Sequence, residues 1–162
     1  MNALKGSCHC GNVEFTLLTQ YSERTLAPRR CGCSMCRRHG ASWLSDPDGR
    51  LDLRVRDESG LSVYQFGHAT SRWIVCARCG VLLAALCEVG GRLRAVVRSQ
   101  SMVDHRFSAP EVATDFEDET VDTRLARRAR TWIGSVTHSP SLDLHFVPSV
   151  SDGHKMASPS NR

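Results

Sequence analysis

The chain has no apolar run long enough to cross a bilayer. Its longest, residues 81–87, is seven residues, against about 20 for a membrane helix. No apolar leader precedes the first chemistry-bearing residues, because Met1-Asn-Ala-Leu-Lys-Gly runs almost directly into Cys8. That start reads as a cytoplasmic chain rather than a secreted one. Nor is there a repeat beyond the recurrence of Cys-x-Cys. With 41% hydrophobic and 23% charged residues, collagenous and wholly disordered classes are excluded. A length of 162 residues suggests one domain, able to bury roughly 70% of the extended chain's surface without a covalent staple.

What the chain has in plenty is cysteine. Eight are present, at Cys8, Cys10, Cys31, Cys33, Cys36, Cys76, Cys79 and Cys87. Disulfide frameworks belong to small secreted domains and usually join distant segments. Here seven of the eight lie in tight groups: Cys8-His-Cys10, Cys31-Gly-Cys33-Ser-Met-Cys36 and Cys76-Ala-Arg-Cys79. Thiols one or two residues apart converge on a common point, which in a reducing compartment marks a metal site or, less readily, a redox dithiol.

Four thiolates close a structural zinc site, and two pairs from distant segments supply four. Three thiolates leave a vacancy, the arrangement of a catalytic zinc. Cys31, Cys33 and Cys36 are such a triplet unless His39, His9 or Cys87 completes the set. Spacing alone leaves the partition open, since Cys33 and Cys36 could equally join Cys76 and Cys79. Seven ionised thiols with two Zn²⁺ would bring the formal charge of +4 to about +1, which gives little support for a nucleic-acid partner.

Period-two alternation predicts strands at 12–18 and 51–55, with the turn Asp46-Pro-Asp-Gly49 between them. Further strands are expected at 61–66, 72–75 and 81–89. Gly90-Gly91 then turns the chain into a return strand at 93–97. Five or six strands with short connections point to antiparallel sheets. One late helix is expected from Val121, Leu125, Ala129, Trp132, Ile133 and Val136, which share a face. It runs from the acidic Glu117, Asp118, Glu119 and Asp122 toward Gly134, with Arg124, Arg127, Arg128 and Arg130 as a solvated face. Residues 149–162 are Ser-rich and read as a disordered tail. Cys87 reads as a small buried hydrophobe. Arg29, Arg30, Arg37 and Arg38 flank the triplet as surface charge or as anchors for a substrate carboxylate, and Trp43 and Trp73 read as core or pocket wall.

Three blocks together carry a resemblance: Gly6-Ser-Cys-His-Cys-Gly-Asn-Val-Glu-Phe15, Cys31-Gly-Cys-Ser-Met-Cys-Arg-Arg-His-Gly40 and Cys76-Ala-Arg-Cys-Gly80. In this order the chain resembles the glutathione-dependent formaldehyde-activating enzyme family, which includes the centromere protein V domain, over roughly residues 4 to 100. The resemblance implies a mainly-β fold, the β-tent of small antiparallel sheets around zinc sites, here over residues 1–148. It implies two Zn²⁺ per chain, a structural one on Cys8, Cys10, Cys76 and Cys79 and a catalytic one on Cys31, Cys33 and Cys36. It also implies carbon–sulfur lyase activity, the reversible joining of a glutathione-like thiol to formaldehyde or another small aldehyde. The alternative from another class is a non-enzymatic zinc module that binds protein or nucleic acid.

Overall fold

The computed structural model describes residues 1–104, 106–142 and 144, so the expected tail at 149–162 lies outside the described residues. In chain order the elements are β1 (Asn2–Ser7), β2 (Val13–Thr19), β3 (Arg29–Cys31), α1 (Ser34–His39), β4 (Ser42–Leu44), β5 (Arg50–Val55), β6 (Leu61–Tyr64) and β7 (Arg72–Cys76). They continue with β8 (Leu82–Val89), β9 (Arg92–Arg98), β10 (Val112–Thr114), α2 (Val121–Thr131) and β11 (Ser135–Ser139). Alternation drives β2, whose Val13, Phe15, Leu17 and Thr19 are buried while the residues between are half-exposed.

Two sheets result, one in the order β1-β2-β5-β11 and one in the order β10-β3-β4-β9-β8-β7-β6. They share one core. Leu4, Val13, Phe15, Leu17, Leu51 and Leu53 from the smaller sheet meet Leu44, Ile74, Leu83, Leu86, Ala95 and Val97 from the larger. Each fully buried leucine contributes about 1.5–3 kcal/mol. From Leu82 to Cys87 β8 is apolar because both its faces are covered. Leu83, Ala84 and Leu86 enter the core between the sheets, whereas Leu82, Ala85 and Cys87 join a second cluster with Cys36, Trp43, Trp73 and Trp132.

The mainly-β expectation and the late helix hold, with corrections of detail. Among the described residues eleven short strands form rather than five or six, and two pairings are parallel, β10 with β3 and β11 with β5. The helix ends at Thr131, not near Gly134, and its start is capped by Thr120, whose hydroxyl accepts from the Thr123 amide. Trp132 is extended, Ile133 bridges to Ala95, and Val136 lies in β11. A sheet partner outcompetes one more helical turn. Gly134 is needed for close approach, since a Cβ there would lie 2.2 Å from the Pro47 carbonyl oxygen. The arginine face is corrected too: Arg128 is buried beside Cys87, with its guanidinium 4.7 Å from the Trp132 ring centre.

Candidate functional site

Two groups of sulfurs converge. In the first, Cys8 follows β1 and Cys76 closes β7, and each opens a tight turn that ends on a glycine. The Gly11 amide donates to the Cys8 carbonyl at 3.1 Å, and the Gly80 amide to the Cys76 carbonyl at 2.8 Å. Gly11 and Gly80 sit at φ +75° and +73°, a left-handed conformation that costs another residue about 1–2 kcal/mol. Each turn then folds back, with the Cys8 amide donating to Val13 and the Cys76 amide to Val81. The Val13 amide also donates to the Cys8 sulfur at 3.3 Å.

The four sulfurs of Cys8, Cys10, Cys76 and Cys79 lie within 4.8 Å of one another. Cys8 Sγ stands 3.6 Å from Cys10 Sγ, which stands 3.5 Å from Cys76 Sγ. A tetrahedron of 2.3 Å zinc–sulfur bonds has edges of about 3.8 Å, whereas a disulfide needs about 2.05 Å. The spacing therefore fits a tetrahedral ion. Burial pushes the Cys76 thiol up to about 12. Burial opposes ionisation of Cys79 too, but the backbone amides of Cys10 and Val81 and the Cys76 thiol bring it down to about 6. The surrounding loops are stitched by Asn12, which is 3% exposed. Its side chain donates to the Asp57 carbonyl and accepts from the Asp57 amide, both at 3.0 Å. Asp57 in turn pairs with Arg78, between the two cysteines of the second turn.

The second group is Cys31, Cys33 and Cys36, whose sulfurs also lie within 4.8 Å of one another. Cys31 ends β3, Cys33 precedes α1, and Cys36 lies within it. A helical turn brings Cys36 back over Cys33, and Gly40, left-handed at φ +53°, ends the helix. Among the described residues no further His, Cys, Asp or Glu side chain joins this group, so His9, His39 and Cys87 complete neither set. Hydrogen bonds from the Cys31 and Cys36 thiols hold Cys33 down to about 2, while the same contacts push Cys36 up. Each thiol that ionises opposes ionisation of its neighbours, and a cation at their centre would favour the thiolate form of all three. Thiolate donors at this spacing suit Zn²⁺. Both groups could hold a metal ion, and among the described residues the clustered sulfurs stand together as four and three.

The flanking residues divide. Arg29 is partly buried and donates to the Ser45 hydroxyl, and Arg30 pairs with Glu111 at 3.3 Å. Arg37 and Arg38 are exposed. The His39 carbonyl accepts from Arg98 at 2.8 Å, which ties the end of α1 to β9. Cys87 is buried as expected but is not purely apolar in its contacts, with its sulfur 3.6 Å from the Arg128 guanidinium. The contacts of two residues have no signal in the sequence. Asn12 was visible only as part of the Cys-Gly-Asn-Val block, and Trp43 donates its indole N–H to Cys36 Sγ at 3.2 Å, a contact that no spacing announces.

The profile of the glutathione-dependent formaldehyde-activating enzyme family matches residues 3–118. The chain belongs to this family. Its members are in general enzymes of formaldehyde activation with glutathione. The match spans all seven clustered cysteines and every strand of the larger sheet. A crystal structure of a Rhodobacter sphaeroides protein is 30% identical, with 67% of this chain and 99% of that chain covered at a TM-score of 0.47. No curated protein matches the chain. Among the described residues, no helix of this family member is long and apolar enough to cross a membrane.

Proposed function

We propose that this chain is a zinc-dependent carbon–sulfur lyase that reversibly joins a glutathione-like thiol to formaldehyde or another small aldehyde, in the manner of an S-(hydroxymethyl)glutathione synthase. Cys31, Cys33 and Cys36 would hold the catalytic Zn²⁺, and Cys8, Cys10, Cys76 and Cys79 a structural one. The carrying observation is the convergence of three sulfurs without a fourth protein donor among the described residues, in a chain of this family. In the reaction the thiol sulfur bonds to the carbonyl carbon, the C=O π bond opens, and the thiol proton ends on the new hydroxyl oxygen. No oxidant or reductant is consumed. Bound Zn²⁺ supplies a Lewis acid that favours the thiolate form of a thiol and offsets charge on oxygen.

The chain's own residues define the setting. Cys36 is 2% exposed against the tryptophan cluster, while Cys31 and Cys33 are only partly buried. The triplet is therefore anchored on one side and open on the other. Arg37 and Arg38 add positive charge on α1, suited to a substrate that carries carboxylates. The rival zinc module requires a fourth protein ligand at both centres, and no residue near the triplet supplies one among those described. The test is Cys33→Ser, with zinc content and hemithioacetal turnover measured on the same sample. Loss of one zinc with at least a 100-fold fall in turnover is expected. Undiminished turnover with one zinc missing would remove the triplet from the mechanism.

A further inference from the structure

The Trp43 side chain reaches the three-cysteine group from a different element than the one that holds its ligand. Cys36 is carried by α1, whereas Trp43 is the central residue of β4, pairing with Arg29 on one side and Arg98 on the other. Both are buried, at 5% and 2% exposure. The indole N–H can only donate, so at 3.2 Å the Cys36 sulfur is the acceptor. The ring is not free to turn away, because it meets the Trp73 ring edge-on at 5.4 Å and 72°. Water has little access to replace this donor.

A hydrogen bond to a ligating sulfur withdraws charge that the sulfur would otherwise give to the metal, and it fixes the direction of the lone pairs that remain. With three thiolates on one Zn²⁺, the sum of their donation sets how strongly the ion attracts a fourth atom. We propose that Trp43 is a positioning residue for the three-cysteine centre. Its indole N–H fixes Cys36 as the permanent ligand and tempers its charge, so that the ion keeps its appetite for an incoming thiol. This inference rests on Cys31, Cys33 and Cys36 being metal ligands, as proposed above. The competing role is plain packing, in which Trp43 fills space beside Trp73 and the hydrogen bond is incidental.

Cobalt separates the two, because the sulfur-to-cobalt charge-transfer band reports electron density on sulfur. In the protein loaded with two Co²⁺, Trp43→Phe keeps an aromatic ring but removes the donor. The band of the three-cysteine centre should move to longer wavelength, because the Cys36 sulfur regains the charge that the indole N–H withdrew. Trp73→Phe disturbs the same packing without touching sulfur and should leave the band in place. An unmoved band in Trp43→Phe with two Co²⁺ bound, or an equal shift in Trp73→Phe, overturns the role of Trp43 and leaves the centre standing. A wild-type chain that binds one Co²⁺ overturns the centre and the inference with it. Should Trp43→Phe fail to fold, the unmutated protein still decides. Of its three indole N–H signals, one should shift well beyond the others when Cd²⁺ fills the three-cysteine centre, and three equal responses would contradict the contact.

Discussion

The two sulfur groups are built from the same residue type but by opposite strategies. Cys8, Cys10, Cys76 and Cys79 come from two turns more than sixty residues apart in sequence, at the joint where the smaller sheet meets the larger. Cys31, Cys33 and Cys36 come from six consecutive residues on the far side of the larger sheet, beside Trp43 and Trp73. A metal in the first site closes a long loop of chain. A metal in the second closes almost none. The first can therefore contribute heavily to folding, and the second contributes little to folding and is free to do chemistry.

The largest effect that would break this comparison is Cys76→Ser. Cys76 is fully buried, shares the core between the sheets, and leads one of the two turns. Metal analysis should show one zinc lost, and thermal unfolding followed by circular dichroism should show Tm down by at least about 10 °C, since each kcal/mol moves it by roughly 2–4 °C at this size. Cys33→Ser should also lose one zinc, yet move Tm by less than about 3 °C. Equal Tm losses in the two variants would erase the distinction between clamp and reaction centre.

Smaller changes sharpen it. Gly80→Ala forces a side chain onto a left-handed position in the turn that carries Cys76 and Cys79, and denaturant unfolding should show a loss of about 1–2 kcal/mol, with metal binding by Cys31, Cys33 and Cys36 unchanged. The smallest effect is expected at Glu119, just before α2, whose carboxylate pairs at 2.6 and 2.8 Å with Arg127 of that helix. Hydrogen bonds from Arg127, against some burial, hold its carboxyl below the usual range. A carboxylate lowered by folding stabilises the native state above its unfolded value of about 4.3, and that stability is lost as pH falls through the lower folded value. Glu119→Gln should therefore destabilise slightly at pH 7 and flatten the acid limb of a stability–pH profile below about pH 4. An unchanged limb would show that the pair is incidental.

The cysteine clusters were legible because their information is local. Each block places its sulfurs and turn glycines within a few residues, and the three blocks in order carried the family resemblance. The long strands were legible for the same reason, since β2, β5 and β9 announce themselves by alternation. The missed elements have no local signature. β3 and β10 are three residues each and exist because neighbours hydrogen-bond to them. Trp132, Ile133 and Val136 continue a helical pattern, but Ala95 and β5 offer the backbone partners that a last turn cannot match. Arg128 looked like surface because its burial depends on Cys87, Thr70 and Trp132 arriving from three places. The Trp43 contact with Cys36 required both β4 and α1 to be in position.

The most direct measurement of the central claim is a glutathione titration of the protein carrying two Co²⁺, followed by visible absorption. The spectrum of one cobalt should change and saturate at one glutathione per chain, and Cys33→Ser, retaining the other cobalt, should show no response. A spectrum indifferent to glutathione, or a response that survives Cys33→Ser, would contradict it.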